Sequence, residues 1–257
     1  MNFNDVDSLI QSQEADLALI LKNLNTGQIL YERNASMKMR SASIIKLFIL
    51  SKCAEAFEKS SLDPGQTLLV PHKEKVSFSL LSDLKQVSWR LDDMATLMII
   101  LSDNTATNLL IDLLQMEEIN AHIRRLGADK TTLQRKMMDT QAVHHGLENH
   151  TSLADAVQLL EGVFQSANLG DQKSIWMLDV LSKQRDRTML GRFLPESVEL
   201  AHKTGLNQGI QHDIGFFKAG GHTYLIGVFI QGQADEIKGM ECIGKIAKCM
   251  YEEVKRV

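Results

Sequence analysis

Proline and aromatic residues are scarce in this chain. Three prolines and 5% aromatics argue against an aromatic-rich binding surface. Basic residues are not in excess either. Lysine and arginine number 28 against 32 acidic residues, a net charge of −4, so the basic footprint of a nucleic-acid binder is missing and no nucleic-acid partner is expected. Cysteine is limited to Cys53, Cys242 and Cys249. None forms a Cys-x-x-Cys pair, and the last two fall two helical turns apart, too far to bridge, so free thiols in a reducing compartment are expected. His144, His145 and His150 lack zinc-ligand spacing, and neither metal nor organic cofactor is called for. No apolar run reaches membrane-spanning length. The first residues, Met1 to Asp7, carry no basic segment followed by an apolar one. The sequence as it stands therefore reads as cytoplasmic, although a chain starting after a removed leader would look the same. Low-complexity segments and internal repeats are absent too.

What is present is ordinary for a globular protein: 44% hydrophobic and 23% charged residues, in a length that suits one domain or two interleaved ones. A short amphipathic helix over 5–15 precedes a strand at 16–21, a turn at 23–27 and a partner strand at 28–32. A polar segment then runs into an apolar one at Ser41–Leu50, which predicts a helix to about Lys59. Asp63-Pro64-Gly65 breaks the chain. Helices are expected over 91–100, 106–114 and 117–126, the last stopped by Gly127. A polar loop without periodicity covers 130–149. Ser152 to Asp155 reads as a capping box for a helix to about Phe164, and another helix covers 172–182. Beyond Pro195 the pattern changes to three strands, at 198–205, 212–218 and 224–230, and a closing amphipathic helix over 235–257.

This order predicts an α+β fold. Residues 1–40 and 196–257 would form a five-stranded antiparallel sheet flanked by helices, residues 41–195 an all-helical domain, and the functional site would lie between them.

Three short motifs carry the chemistry. Ser43 and Lys46 are three residues apart, on one helical face. A serine hydroxyl is a weak nucleophile until a base takes its proton, and a lysine whose pKa is lowered by burial or a positive neighbour can be that base. On its own the spacing is weak: Ser-x-x-Lys arises by chance about once in such a chain, and Ser82 to Lys85 repeats it. The second motif is Ser102-Asp103-Asn104 and the third Lys203-Thr204-Gly205.

In this order and spacing the three motifs, with the longer string Leu97 to Asn108, resemble the class A β-lactamase-like serine hydrolases over nearly the whole chain. The resemblance implies that Ser43 attacks a carbonyl to form an acyl-enzyme, Lys46 accepts its proton, and Ser102 relays that proton to a leaving nitrogen. It implies that Asn104 orients Lys46 and a substrate amide, that Lys203 and Thr204 bind a substrate carboxylate, and that Gly205 leaves room for the substrate. The N–H groups of Ser43 and Leu206 would form the oxyanion hole. The implied partner is a small β-lactam or peptide-like substrate, and the implied assembly a monomer.

Two departures stand out. The family's deacylating glutamate falls at Met137, two beyond Arg135, and the asparagine expected four residues later falls at Gln141. Asp139 and Glu148 are the nearby carboxylates, and Asp139 is the candidate base. The strand arginine of many members falls at about His212-Asp213, where an aspartate would repel a carboxylate unless it points elsewhere. Opening of a β-lactam with altered deacylation is therefore the leading expectation. A penicillin-binding or D-Ala-D-Ala peptidase or esterase activity is the runner-up, and a catalytically idle binding domain the alternative of another class.

Overall fold

Two-residue periodicity at both ends of the chain builds one sheet. The computed structural model describes residues 1–256; the last residue of the expected closing helix, Val257, lies outside the described residues. Helix α1 (Asn4–Gln11) leads into β1 (Asp16–Asn23) and β2 (Ile29–Arg33), then β3 (Lys38–Arg40), a 3-10 turn (Ala42–Ile44) and α2 (Ile45–Glu58). The middle holds β4 (Thr67–Leu69), α3 (Leu80–Asp83), β5 (Ser88–Arg90), α4 (Leu91–Ile100), α5 (Asn104–Leu114), α6 (Met116–Arg125), α7 (Thr140–His144), β6 (His150–Ser152), α8 (Leu153–Asn168) and α9 (Gln172–Ser182). Strands β7 (Leu200–Asn207), β8 (Ile210–Ala219) and β9 (His222–Gln231) and helix α10 (Glu236–Lys255) complete it.

The sheet runs β2-β1-β9-β8-β7 and is antiparallel throughout, as the sequence predicts. Alternate residues of β1 feed two cores. Leu17, Leu19 and Leu21 pack with α1 and α10, while Ala18 and Ile20 join the larger core under α2, α4, α5 and α8. Helix α2 is apolar on nearly every side, and its residues from Ile45 to Leu50 are all buried. A helix of that kind belongs at the centre of a core rather than on its surface.

The structure corrects several boundaries. Helix α1 stops at Gln11 instead of 15, and α8 runs on to Asn168. Ser43 does not open the α-helix: it sits inside the 3-10 turn, and α2 starts two residues later. The pairs β3–β6 and β4–β5 are three-residue strands, too short to show a period in the sequence. Residues 130–149, expected as plain loop, contain α7.

Candidate active site

Ser43 is fixed by what holds the residues before it. Ser41 N–H donates to Asn149 O (2.8 Å) and Arg40 N–H to the Gln231 side chain (2.9 Å). His212 Nε2–H donates to Arg40 O (2.9 Å), while its Nδ1 lies between Gln211 O (2.9 Å) and Ile230 N–H (3.2 Å). Burial holds its pKa down at about 4, against the raising effect of the Arg40 and Gln211 carbonyls, so the ring is neutral at neutral pH. Ala42 takes φ +43°, a left-handed conformation that a residue with a Cβ seldom adopts. It turns the chain sharply into the half-buried Ser43.

One turn on, Lys46 is fully buried. Its ammonium donates to Ser102 O (2.7 Å), Ser102 Oγ (3.0 Å) and Asn104 Oδ1 (2.9 Å). Burial lowers its pKa well below the usual lysine range. The Lys203 charge lowers it further, and Asp103 opposes the shift. Ser102 lies between α4 and α5 with φ +54°. Asp103 caps α5 by accepting from Ala106 N–H (2.8 Å), and its carboxylate also takes Ser79 Oγ–H (2.8 Å) and Leu81 N–H (3.1 Å). The cap thus ties the 77–82 segment to the site. Asn104 Nδ2 donates to Ser77 O (3.1 Å), so its amide links Lys46 to that segment.

Lys203 enters from β7, also fully buried, and donates to Ser102 Oγ (3.2 Å) and Thr204 O (2.7 Å). Burial pulls its pKa down to about 8, against the raising effect of Asp213 and Asp186. The Ser102 hydroxyl is therefore held between two lysines. As the edge strand of the sheet, β7 has backbone groups that β8 does not satisfy. It rests on the Ser43 turn: a Cβ built on Gly205 would meet Ile44 Cγ1 at 3.0 Å. Leu206, next in the strand, is 46% exposed.

The structure thus brings together Ser43, Lys46, Ser102, Asn104, Lys203, Thr204, Gly205 and Leu206 from separate stretches of chain. Met137 is buried, its backbone held on both sides by Asn108: Met137 N–H donates to Asn108 Oδ1 (2.7 Å), and Asn108 Nδ2 donates to Met137 O (3.0 Å). Asp139 caps α7 by accepting from Ala142 N–H (2.9 Å). Glu148 pairs with Arg135 (2.7 Å) and so closes the loop on itself. Asp213 points away from the cleft, to His202 Nδ1 (2.8 Å) and Leu190 N–H (3.0 Å). Sequence reasoning misses the loop-holding roles of Asn108, Asn120 and Asn149. Each asparagine both accepts from and donates to loop backbone, and a lone asparagine carries no motif to announce that. Among the described residues no cluster of histidine, cysteine or carboxylate side chains could hold a metal ion.

A family model described as the β-lactamase enzyme family matches residues 3–254. No curated protein sequence matches the chain significantly. Among solved structures, the chain is similar to a β-lactamase from Sphaerobacter thermophilus DSM 20745, with TM-score 0.89, 23% identity, and coverage of 100% of this chain and 99% of that one. It is similar to a point mutant of PBP-A, solved as an acyl-enzyme complex with penicillin G, with TM-score 0.88, 23% identity, and coverage of 99% and 96%. It is also similar to a representative of class A β-lactamase from Bacteroides cellulosilyticus DSM 14838, with TM-score 0.86, 20% identity, and coverage of 99% and 97%.

Proposed function

The chain belongs to the β-lactamase enzyme family, and on that footing we propose that it is a serine hydrolase acylated at Ser43 by β-lactams. The observation that carries this reading is the pair of fully buried lysines sharing the Ser102 hydroxyl, one helical turn from Ser43. Two ammonium groups in one dry volume favour loss of a proton from one of them. Lys46, whose pKa burial and the Lys203 charge both lower, is the base and takes the Ser43 proton as Oγ attacks the lactam carbonyl. The Ser43 and Leu206 N–H groups receive the developing oxyanion. Ser102 passes a proton to the departing nitrogen and is resupplied from Lys46, so the lactam C–N bond breaks with the proton ending on nitrogen. Asn104 holds Lys46 in place. Lys203 stays charged to draw the substrate carboxylate toward Thr204, and Gly205 keeps the strand close. The cleft lies where the sheet (residues 1–40 and 196–257) meets the helical segment (41–195), which we take as two interleaved domains.

The second half of the reaction is less well provided for. Met137 offers no base for the hydrolytic water. Asp139 is held at the start of α7 as its cap through Oδ1, and we assign it only a secondary place. An acyl-enzyme that forms readily and hydrolyses slowly follows. This is the behaviour of a penicillin-binding protein, peptidase or esterase, the second reading, which the buried Met137 favours.

Intact-protein mass followed over time after addition of benzylpenicillin, with Ser43→Ala as control, tests both. An adduct on the wild type alone supports acylation at Ser43. Its decay within seconds, with penicilloate released, would favour an efficient β-lactamase, and its persistence for hours the second reading. A wild type that stays unmodified would overturn the proposal.

A further inference from the structure

The carboxylate site of the proposed reaction has no strand arginine behind it. The β8 residues paired with Thr204 and Gly205 are Asp213 and His212. Asp213 is a carboxyl group turned to His202. His212 is buried, stacked on Phe229 and bonded to Arg40 O. Neither can offer a cation to the cleft. Lys203, the buried cation beside Thr204, already donates to Ser102 Oγ and Thr204 O.

A cleft of about 240 Å³ opens beside Ser102 and Thr204, and its far wall is the segment Gln184–Asp186. This segment is stapled to the end of α4. Gln184 Nε2 donates to Ile99 O (2.9 Å), and Gln184 Oε1 accepts from Arg185 N–H (2.9 Å) and Asp186 N–H (3.1 Å). Asp186 accepts from Thr188 N–H (2.9 Å) and Thr188 Oγ–H (2.6 Å), both at Oδ1, so the wall also carries a carboxylate beside Arg185. The Arg185 side chain is exposed, and its guanidinium has no ion pair or hydrogen bond among the described residues. The nearby exposed cation Lys183 is bound to Asp179 (2.6 Å).

We propose that Arg185 is the specificity-determining cation of this site: from the wall of the cleft, its guanidinium receives the substrate carboxylate together with Thr204. A planar fork of donors on a stapled backbone suits a carboxylate in two-point contact. The cation comes from the loop after α9, on the opposite side of Thr204 from β8. An anionic substrate is the class this selects, and the inference rests on the acylation reading above.

The test compares benzylpenicillin with its neutral methyl ester, taking the second-order rate of Ser43 acylation from intact-protein mass. Arg185→Ala should slow acylation by the free acid about 10- to 100-fold, the loss expected for one charge-assisted contact, and leave the ester nearly unchanged. Arg185→Lys should recover part of the loss. Lys183→Ala, which removes a positive charge from the same region, should change neither rate. Equal rates for wild type and Arg185→Ala with the free acid would overturn the inference while acylation itself stands. So would equal slowing with acid and ester, or a loss of the same size in Lys183→Ala. A wild type acylated by neither compound would remove the acylation reading, and this inference with it.

Discussion

Lys46 and Lys203 share one buried volume with the Ser102 hydroxyl between them, and their protonation sets the pH range of acylation. Lys46 must be neutral to act as base and Lys203 charged to attract an anion. Acylation should therefore rise as pH climbs through the low Lys46 pKa and fall as Lys203 loses its proton near 8. Lys203→Gln removes the positive neighbour that lowers Lys46, so the rising limb should move to higher pH and the rate fall about 100-fold. A pH–rate profile of acylation checks this, and an unmoved limb would mean that the two charges are not coupled. Met137 gives a second prediction at this scale. Met137→Glu puts a carboxylate beside the proposed water site, and the adduct lifetime should shorten about tenfold or more with the acylation rate little changed. The residues that do the proposed chemistry were legible in the sequence because three motifs stand in fixed order. Arg185 was not, since an exposed arginine in a loop looks like any other until the cleft shows what it faces.

At the scale of elements, the contact between β7 and the Ser43 turn decides whether the oxyanion donors converge. Gly205 packs directly on Ile44. Gly205→Val should push the strand off the turn and slow acylation about 10- to 100-fold, while the melting temperature drops by only a few degrees. A large unfolding effect with unchanged acylation in the folded fraction would contradict this. The long strands and helices could be read from periodicity because their burial follows period 2 or 3.6. The 3-10 turn at Ser43 could not. It exists because the residues before it are held by Asn149, Gln231 and His212, all remote in sequence. The same holds for β3–β6 and β4–β5, where partners distant in the chain choose the conformation.

On the scale of the whole molecule, the sheet and the helical segment share one core. Ala18, Ile20, Ile214, Phe216 and Phe229 from the strands pack among the residues of α2, α4, α5 and α8, so neither part buries its apolar surface without the other. One buried group links this assembly to pH. Neutral His212 is the form that fits, with a pKa lowered from 6.5 to about 4. Below pH 6.5 the unfolded chain takes up a proton that the folded one refuses. The contribution is thus complete above pH 6.5, shrinks as pH falls, and is lost by about pH 4. The gap between those two values corresponds to about 3 kcal/mol. Denaturant unfolding across the acid range from neutrality should show this slope, and His212→Gln should flatten it, even though the variant starts from lower stability. An unchanged slope would place the acid sensitivity elsewhere, with His122, also lowered to about 4 by burial, as the next group to replace.

Strand β1 lies inside the sheet, between β2 and β9, although one neighbour follows it at once and the other is the last strand of the chain. During synthesis, β1 and β2 leave the ribosome as a hairpin with one side unpaired. At about 5–20 residues per second, the roughly 200 residues before β9 emerges keep that side open for about 10–40 s. A twisted apolar strand such as Leu17–Leu21 is then a ready template for another nascent chain. Topology of this kind makes folding slow and concentration-sensitive whatever the final stability, so the yield of active protein should depend on how well that early edge is shielded.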